Sequence, residues 1–347
     1  MRYIASLVLA ACLPLPSLQA QVPADTAKVT IAAVGDVMLG GSMTTTVKER
    51  GAGYTFERTA GLLRAADIAI CNLEAPFGTK GKPFRKRFTF LVPPIYAGAL
   101  KDAGFDVVAM ANNHMMDFGP QPLATTLAAL DSLGIGHSGA GMDLAAARAP
   151  ALVERNGARV AFLSYSRVHP TQFWAGRKRP GTAPAVEPEV IADIKAAKLR
   201  ARLVVVSFHW GAELMDHPKD YQVRLAHAAI DAGADLVLGS HPHVLQGLEL
   251  YRGRLIAYSL GNFAFGSGSR KCTESVILLA SFVNGELDMV KAVPLCVDNH
   301  VVNYQPTPLA GSAATAAIGR LNAIAPRPGL ALTIGDSAGV WTRPEIP

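Results

Sequence analysis

The sequence has few cysteines, few charges and no long apolar run beyond its first twenty residues. Four cysteines in 347 residues are too few for a disulfide-based scaffold. Only 17% of the residues are charged, and a net charge of +6 is too small to favour nucleic acid as a partner. No later apolar run approaches the roughly 20 residues of a membrane-spanning helix. Half of the residues are hydrophobic, which excludes global disorder and allows a large core.

The first twenty residues are typical of an export signal. Arg2 precedes a short apolar stretch from Ile4 to Leu15, and no acidic residue occurs before Asp25. Cleavage after Ala20 would remove a signal peptide of residues 1–20. The alternative is the lipobox-like Leu9-Ala10-Ala11-Cys12, in which Cys12 becomes the lipidated first residue. We therefore expect an exported protein, periplasmic or secreted, which the second alternative anchors to lipid through Cys12.

Export would place the cysteines in an oxidising compartment. Cys272 and Cys296 flank two strand-like segments, 275–283 and 286–295, which meet at Asn284-Gly285. That dipeptide is a strong signal for a hairpin turn. Folding the chain there brings Cys272 opposite the neighbourhood of Cys296, and this predicts a disulfide between them.

Apolar, β-branched segments alternate with amphipathic, Ala/Leu-rich segments along most of the chain. The amphipathic segments predict helices over 122–133, 188–198 and 220–232. Continuous apolar strands between helices indicate an α/β fold whose sheets are covered on both faces. The later segments resemble consecutive antiparallel strands, followed by a helix over 310–324. We predict one α/β domain over 28–300 and an appendage of the same domain over 301–347.

Polar side chains follow the apolar strands, and ligand sites in α/β sheets lie beyond the carboxyl ends of strands. These side chains are Asp36, Glu74, Asn113, His114, His209, His241 and His243. Each motif alone has a structural interpretation, because His-Pro-His often lies on a surface and a single strand histidine often belongs to a core. Their joint occurrence instead predicts a divalent-metal site for Mn, Zn or Fe, with one or two ions.

The order of these motifs resembles a known family. The motifs are Gly35-Asp36-Val37-Met38-Leu39, Asn72-Leu73-Glu74, Ala111-Asn112-Asn113-His114, Asp117-Phe118-Gly119, His209-Trp210-Gly211, Gly239-Ser240-His241-Pro242-His243 and Ser259-Leu260-Gly261-Asn262-Phe263. They resemble the CapA-type capsule-synthesis proteins, the poly-γ-glutamate capsule proteins of the calcineurin-like metallophosphatase superfamily. The resemblance implies a two-sheet sandwich flanked by helices, a four-layer α/β/β/α fold. It also implies membrane-bound capsule-synthesis partners.

The resemblance further implies a role for each matching residue. Asp36, Glu74 and His243 would bind a first ion, and Glu74, Asn113, His209 and His241 a second, with Glu74 as the bridge. His114 would be the catalytic acid beside the ions. Apart from the resemblance, we predict Asn112 as a second catalytic residue, which would help to complete the set of donors if the site is catalytic. Met38 departs from the pattern because the superfamily has histidine there. Thioether is a poor ligand for hard hydrolytic metals, so we expect the first ion to bind weakly or not at all.

Other side chains are candidates for substrate binding. Asn262 and Tyr165 follow strands and complete the set of donors. Lys82, Arg85 and Arg87 lie in one basic loop, and Arg177 lies in a second, the surface excursion 167–184. These loops are either solvated surface or a basic rim for an anionic polymer or a phosphate-bearing small substrate. A nucleic-acid partner is not expected.

Two hypotheses about function remain open at the level of sequence. The first is an exported metal-dependent hydrolase or transferase, phosphoesterase-like, acting on an anionic envelope substrate. The second is a non-catalytic accessory protein of capsule or exopolymer synthesis, in which a metal stabilises the fold and the basic rim binds polymer. Met38 favours the second hypothesis, whereas His114 and Asn112 favour the first.

Overall fold

Two β-sheets packed face to face form the centre of the fold in the computed structural model, which describes residues 27–326 and 329–344. The expected signal peptide, including Cys12, lies outside the described residues. Within them, no helix combines the length and apolarity needed to cross a membrane.

The larger sheet is built mostly from the two ends of the chain. Its strands, numbered along the chain, are β1 (Lys28–Met38), β2 (Ile68–Leu73), β3 (Val107–Ala109), β4 (Gly136–Ser138), β13 (Asn262–Phe265), β14 (Glu274–Val283), β15 (Glu286–Cys296), β16 (Thr307–Pro308), β17 (Thr333–Ile334) and β18 (Gly339–Thr342). The main order is β17-β18-β15-β14-β1-β2-β3-β4, while β13 pairs with β1 and β16 with β15. Strands β1 to β4 are parallel.

The smaller sheet comes from the middle of the chain. Its strands are β6 (Ala151–Arg155), β7 (Ala158–Ser166), β9 (Leu203–His209), β10 (Leu236–Ser240), β11 (Leu245–Tyr251) and β12 (Arg254–Leu260), in the order β11-β12-β10-β9-β7-β6. Strands β7, β9, β10 and β12 are parallel, so their carboxyl ends lie at one edge. A separate pair joins β5 (Ala140–Gly141) to β8 (Gly181–Thr182).

Most helices cover the outer faces of the two sheets, and one packs against strands of both sheets. The helices are α1 (Thr44–Arg50), α2 (Ala60–Arg64), α3 (Gly98–Ala103), α4 (Pro120–Ser132), α5 (Leu144–Arg148), α6 (Glu187–Lys198), α7 (Asp220–Asp231), α8 (Asn299–Val302) and α9 (Gly311–Ala323). Short 3-10 helices span Gly41–Met43, Ala52–Phe56, Pro94–Ala97 and Thr171–Phe173. The helices predicted over 122–133, 188–198, 220–232 and 310–324 are confirmed as α4, α6, α7 and α9.

Three buried clusters define the layers. Successive side chains along a strand point to opposite faces of its sheet. Ile31 of β1 therefore packs with Val205 of β9 between the sheets, whereas Ala32 belongs to the helical cover of the larger sheet. Val206 of β9 packs with Ile194 of α6 in the cover of the smaller sheet. The four-layer α/β/β/α sandwich is thus confirmed.

The segment after residue 300 is built into the same fold. It adds β16 and β18 to the β15 edge of the larger sheet. Helix α9 packs on β11 and β15, and its Ile318 and Leu321 are buried in the cluster between the sheets.

The predicted disulfide is wrong, because Cys272 and Cys296 are free thiols in the structure. The hairpin itself is confirmed: β14 and β15 meet at Asn284-Gly285, both with positive φ. The turn register before the shift at Ser281/Phe282 would put Thr273 opposite Cys296, and the shift puts Glu274 there, so Cys272 faces Cys296 in neither register. Cys272 precedes β14 and lines a cavity instead.

Candidate metal centre

The carboxyl edges of the two sheets supply the six side chains predicted as metal ligands. The larger sheet contributes Asp36, Glu74 and Asn113, and the smaller sheet contributes His209, His241 and His243. Two contacts join the sheets at this edge. His209 Nε2 lies 2.8 Å from Asn113 Oδ1, and His243 Nδ1 lies 3.0 Å from Asp36 Oδ2. The structure therefore brings the predicted ligands together in one cluster.

Glu74 is the common member of two groups of ligand atoms, within each of which all atoms lie within 4.8 Å of one another. One group adds Asp36 and His209, and the other adds His241 and His243. The sharing is what a bridging carboxylate requires. The division differs from the one implied by the resemblance, which placed Asp36 with His243 and His209 with His241.

Asn72 organises the two carboxylates, although it was not among the predicted site residues. Its Nδ2 donates to Asp36 Oδ1 at 2.8 Å and to Glu74 Oε2 at 2.9 Å. These bonds leave Glu74 Oε1 facing the histidines, 3.8 Å from His209 Nε2 and 3.9 Å from His243 Nε2. The signal in the sequence was its position two residues before Glu74, since alternate residues share one face of a strand.

Three buried atoms of this cluster, Asp36 Oδ2, Glu74 Oε1 and His241 Nδ1, have no hydrogen-bond partner among the described residues. Asp36 and Glu74 are 0% exposed and His241 is 6% exposed. Because buried polar groups are almost always satisfied in native proteins, the three atoms indicate a ligand between them. Carboxylate, amide and imidazole donors suit Mn, Zn or Fe, so the residues present fit the predicted ion.

The pKa values of the metal-free chain support the same interpretation. Burial and then the neighbouring Asp36 charge raise the pKa of Glu74 well above its usual value. Burial lowers the pKa of His209 well below its usual value and that of His241 to about 3. For His243, burial is the largest single influence and lowers the pKa, but Asp36, Glu213 and Asn262 together raise it and the net shift of the pKa is upward. The lowered pKa values favour neutral imidazoles at His209 and His241, and a cation beside them would stabilise the ionised form of Glu74.

Met38 occupies the position at which the resemblance implies a histidine ligand. Its side chain is fully buried and packs in the helix-covered core of the larger sheet. Its Sδ accepts the backbone N–H of Gly40 at 3.2 Å. The residue that replaces the expected histidine thus has a structural role.

His114 lies in the wall of a cavity of about 550 Å³ that opens beside the cluster and is also lined by His243. Its Nδ1 lies 2.7 Å from Asp117 Oδ2, and burial lowers its pKa. Because Asp117 is a carboxylate acceptor, Nδ1 donates and Nε2 carries the free lone pair. The arrangement leaves one defined nitrogen of His114 for a ligand in the cavity.

Asn112 braces the loop that carries His114. Its Nδ2 donates to Asn72 Oδ1 at 3.1 Å and to Leu73 O at 2.8 Å. Its Oδ1 accepts the backbone N–H groups of His114 and Met115 at 3.1 and 2.9 Å. Every polar atom of the side chain is therefore used within the protein, which makes Asn112 a positioning residue.

Asn262 orients His243, one of the predicted metal ligands. It lies opposite Asp36 in the β1–β13 pair, and its Oδ1 accepts from His243 Nδ1 at 2.9 Å. With Nδ1 donating to Asn262 and lying 3.0 Å from Asp36 Oδ2, His243 turns Nε2 towards Glu74.

The structure separates the other predicted substrate residues. Arg87 lines the cavity, whereas Lys82 and Arg85 are exposed and are not among its lining residues. Arg177 is exposed beside Asp143 on a separate surface hollow, so its predicted place near the site is wrong.

The prediction that Tyr165 belongs to the donors of the site is also wrong. Its hydroxyl donates to Asp193 Oδ2 of α6 at 2.9 Å, and its ring is buried in the helical cover of the smaller sheet. Successive residues of β7 face opposite sides, so proximity to the strand end did not determine the direction of the side chain.

The family of bacterial capsule synthesis proteins called PGA_cap matches residues 30–267, which include all six ligands of the cluster. The chain belongs to the PGA_cap family. Among curated relatives, this PGA_cap chain is 36% identical over 249 residues to the PGA biosynthesis protein CapA of Bacillus subtilis (strain 168), covering 71% of this chain and 65% of the relative.

A second relative of the PGA_cap chain is the capsule biosynthesis protein CapA of Bacillus anthracis, 32% identical over 277 residues, covering 77% of this chain and 67% of the relative. The chain thus spans about two thirds of the length of these relatives. Among solved structures, the NAD nucleotidase NadN of Haemophilus influenzae superposes with a TM-score of 0.48 at 10% identity, covering 89% of this chain and 64% of that one.

Proposed function

We propose that this PGA_cap protein is an exported, metal-dependent hydrolase or transferase of capsule or exopolymer synthesis that acts on an anionic envelope substrate. The observation that best supports this proposal is the buried cluster around Glu74. The Oε1 atom of Glu74 has no hydrogen-bond partner among the described residues and faces two histidines. The names of the Bacillus relatives support the link to capsule synthesis.

The ion would be held by the six clustered side chains, Asp36, Glu74, Asn113, His209, His241 and His243. A bound divalent ion supplies Lewis acidity towards a phosphoryl or carbonyl oxygen and lowers the pKa of water. The protein itself contributes Arg87, which lines the cavity and attracts an anionic group. It also contributes His114, whose Nε2 exchanges a proton with the substrate while Asp117 holds Nδ1.

The export proposal depends on residues 1–20 of the sequence, which fit a signal peptide. We expect a periplasmic or secreted protein that begins after Ala20, or a lipid-anchored one that begins at Cys12. Mass determination of the N-terminal peptide from protein expressed in a bacterial host distinguishes the two, and an intact Met1 in the envelope fraction would contradict both.

A second candidate function is a non-catalytic accessory role, in which the metal stabilises the fold and the protein binds polymer. Met38 favours this accessory role, because it stands where the superfamily has a histidine ligand. Its thioether accepts the backbone N–H of Gly40 instead of facing an ion. The two functions differ in whether His114 matters once the metal is bound.

Metal analysis and hydrolysis assays on the purified chain test both. We expect about one or two ions per chain, and turnover of p-nitrophenyl phosphate or bis(p-nitrophenyl) phosphate. His114→Gln should keep the metal and lose roughly 100-fold in kcat, because it removes the proton carrier from the cavity wall. His137→Gln is the matched control, since His137 lies on β4 and pairs with Asp131.

Three results would count against the proposals. Less than about one ion per chain after gentle purification contradicts the metal site. A metal-loaded protein that hydrolyses neither probe favours the accessory role, as would full complementing activity of His114→Gln in cells.

A further inference from the structure

Residues 79–91, which we call the strap, cross one side of the cavity without helix or strand. The base of the strap is closed by Phe77 and Val92, which form an isolated bridge. Gly78 N donates to Val92 O at 2.8 Å, and Val92 N donates to Pro76 O at 3.1 Å. A loop with joined ends needs contacts at its tip to hold one position. Contacts at the tip therefore fix the position of the strap.

Asp117 is the anchor for that tip. It is fully buried in the turn that follows Asn113 and His114. Its backbone O accepts Phe84 N at 2.8 Å, and its Oδ2 accepts Phe90 N at 2.8 Å. The two bonds join both halves of the strap to one residue, the same residue that holds His114 Nδ1.

Lys86 completes the anchor from the strap side. Its Nζ lies 2.5 Å from Asp117 Oδ1, donates to Asn113 O, and is 3.1 Å from His114 Nδ1. The ammonium thus offsets the buried charge of Asp117 and joins the strap to the turn that presents His114. Removing it would leave a buried carboxylate with an unpaired charge, which is strongly unfavourable.

Aromatic packing encloses this ion pair. Lys86 Nζ lies 5.2 Å from the ring centroid of Phe173, which also packs edge-on against Phe84 at 4.9 Å. On the other side, the ring of Phe90 lies 4.6 Å from that of His114. The surface excursion 167–184 thus contributes Phe173 as a support for the strap, a role that its basic residues did not suggest.

We propose that Lys86 is a positioning residue that clamps the strap to the 113–117 turn, so that Arg87 is held at the cavity wall and His114 keeps its orientation. The importance of these positions for a reaction rests on the proposed function. The clamp itself is a property of the chain and is measurable without substrate.

Lys86→Met tests the clamp in the full chain, because methionine keeps the length of the side chain and removes its charge. Cleavage by an arginine-specific protease reports on the strap, since Arg85 and Arg87 flank Lys86. We expect roughly ten-fold faster cleavage at these two sites, with rates elsewhere unchanged, because only local opening becomes easier. The matched control is Lys195→Met, which also replaces one lysine with methionine and lies on the exposed face of α6.

Histidine ring signals give a second readout. In protein labelled at histidine, the His114 signal, assigned with His114→Gln, should shift in Lys86→Met and not in Lys195→Met. Lys86→Arg, which keeps the cation, should restore both the slow cleavage and the signal. A role in general stability would instead accelerate cleavage at all sites and shift many histidines.

If Lys86→Met does not fold, the double variant Lys86→Met/Asp117→Asn removes both charges and is measured in its place. Unchanged cleavage at Arg85 and Arg87 in a folded variant overturns the clamp. Metal content and hydrolysis are measured separately, so a lack of turnover counts against the proposed function and leaves the clamp intact.

Discussion

Glu74→Gln should remove most of the metal affinity of the protein. Glu74 is common to both groups of ligand atoms, so its loss weakens every predicted ion position at once. An amide oxygen lacks the charge of a carboxylate, so we expect the affinity for the metal to fall by more than roughly 100-fold. This loss exceeds the one caused by removing a residue that only hydrogen-bonds to a metal ligand. Metal analysis after equilibrium dialysis against Mn²⁺ or Zn²⁺ measures the change.

The same variant should behave oppositely when metal is chelated. Burial and the Asp36 charge make the ionised form of Glu74 costly in the metal-free chain, and glutamine carries no charge while its oxygen can still accept from Asn72. We therefore expect a higher Tm than wild type in chelator and a lower Tm than wild type in metal.

Glu249→Gln controls for the chemistry of the substitution. Glu249 is also a buried carboxylate, but it is bonded to Tyr258 at 2.6 Å and to His227 at 2.9 Å, outside the cluster. This variant should keep its metal and lose stability under both conditions. If Glu74→Gln retains the wild-type number of ions, the bridging position of Glu74 is wrong.

Periodicity and strand ends were sufficient to predict the layers and the ligand cluster. The apolar run that ends at Asp36 and the one that ends at His209 belong to different sheets, yet both end at the carboxyl edge. Parallel strands of one sheet share a carboxyl edge, and the two sheets pack with these edges in contact. Helices such as α7 were predicted because their apolar residues recur with the helical period.

Contacts that depend on side-chain direction or register were not predictable from the sequence. Tyr165 follows the same strand-end rule as the ligands, but it faces the helices and bonds Asp193. Cys272 lies one residue out of register with Cys296 in the hairpin set by Asn284-Gly285, and a register shift at Ser281/Phe282 that no residue pattern predicts adds one more. Asn72 and Lys86 were visible in the sequence, but their roles depend on partners distant along the chain.

Gly35→Ala should strongly destabilise the fold and distort the site, because Gly35 lies where β1 passes the end of β12. A Cβ on Gly35 would lie 1.8 Å from the backbone O of Gly261, the atom that accepts the N–H of Asp36 at 3.0 Å. Relief of that overlap must move Asp36 or the backbone that leads to Asn262, and both contact His243. We expect a loss on the order of 4 kcal/mol in the free energy of unfolding, measured in denaturant.

The matched substitution is Gly61→Ala, since a Cβ on Gly61 in α2 meets no atom within 4 Å. It should leave stability unchanged or slightly increased, because alanine favours helix and restricts the unfolded chain. Equal stability of the two variants would show that the contact between Gly35 and Gly261 does not constrain the protein. A large difference would show that the first ligand, Asp36, occupies its position because the residue before it has no side chain.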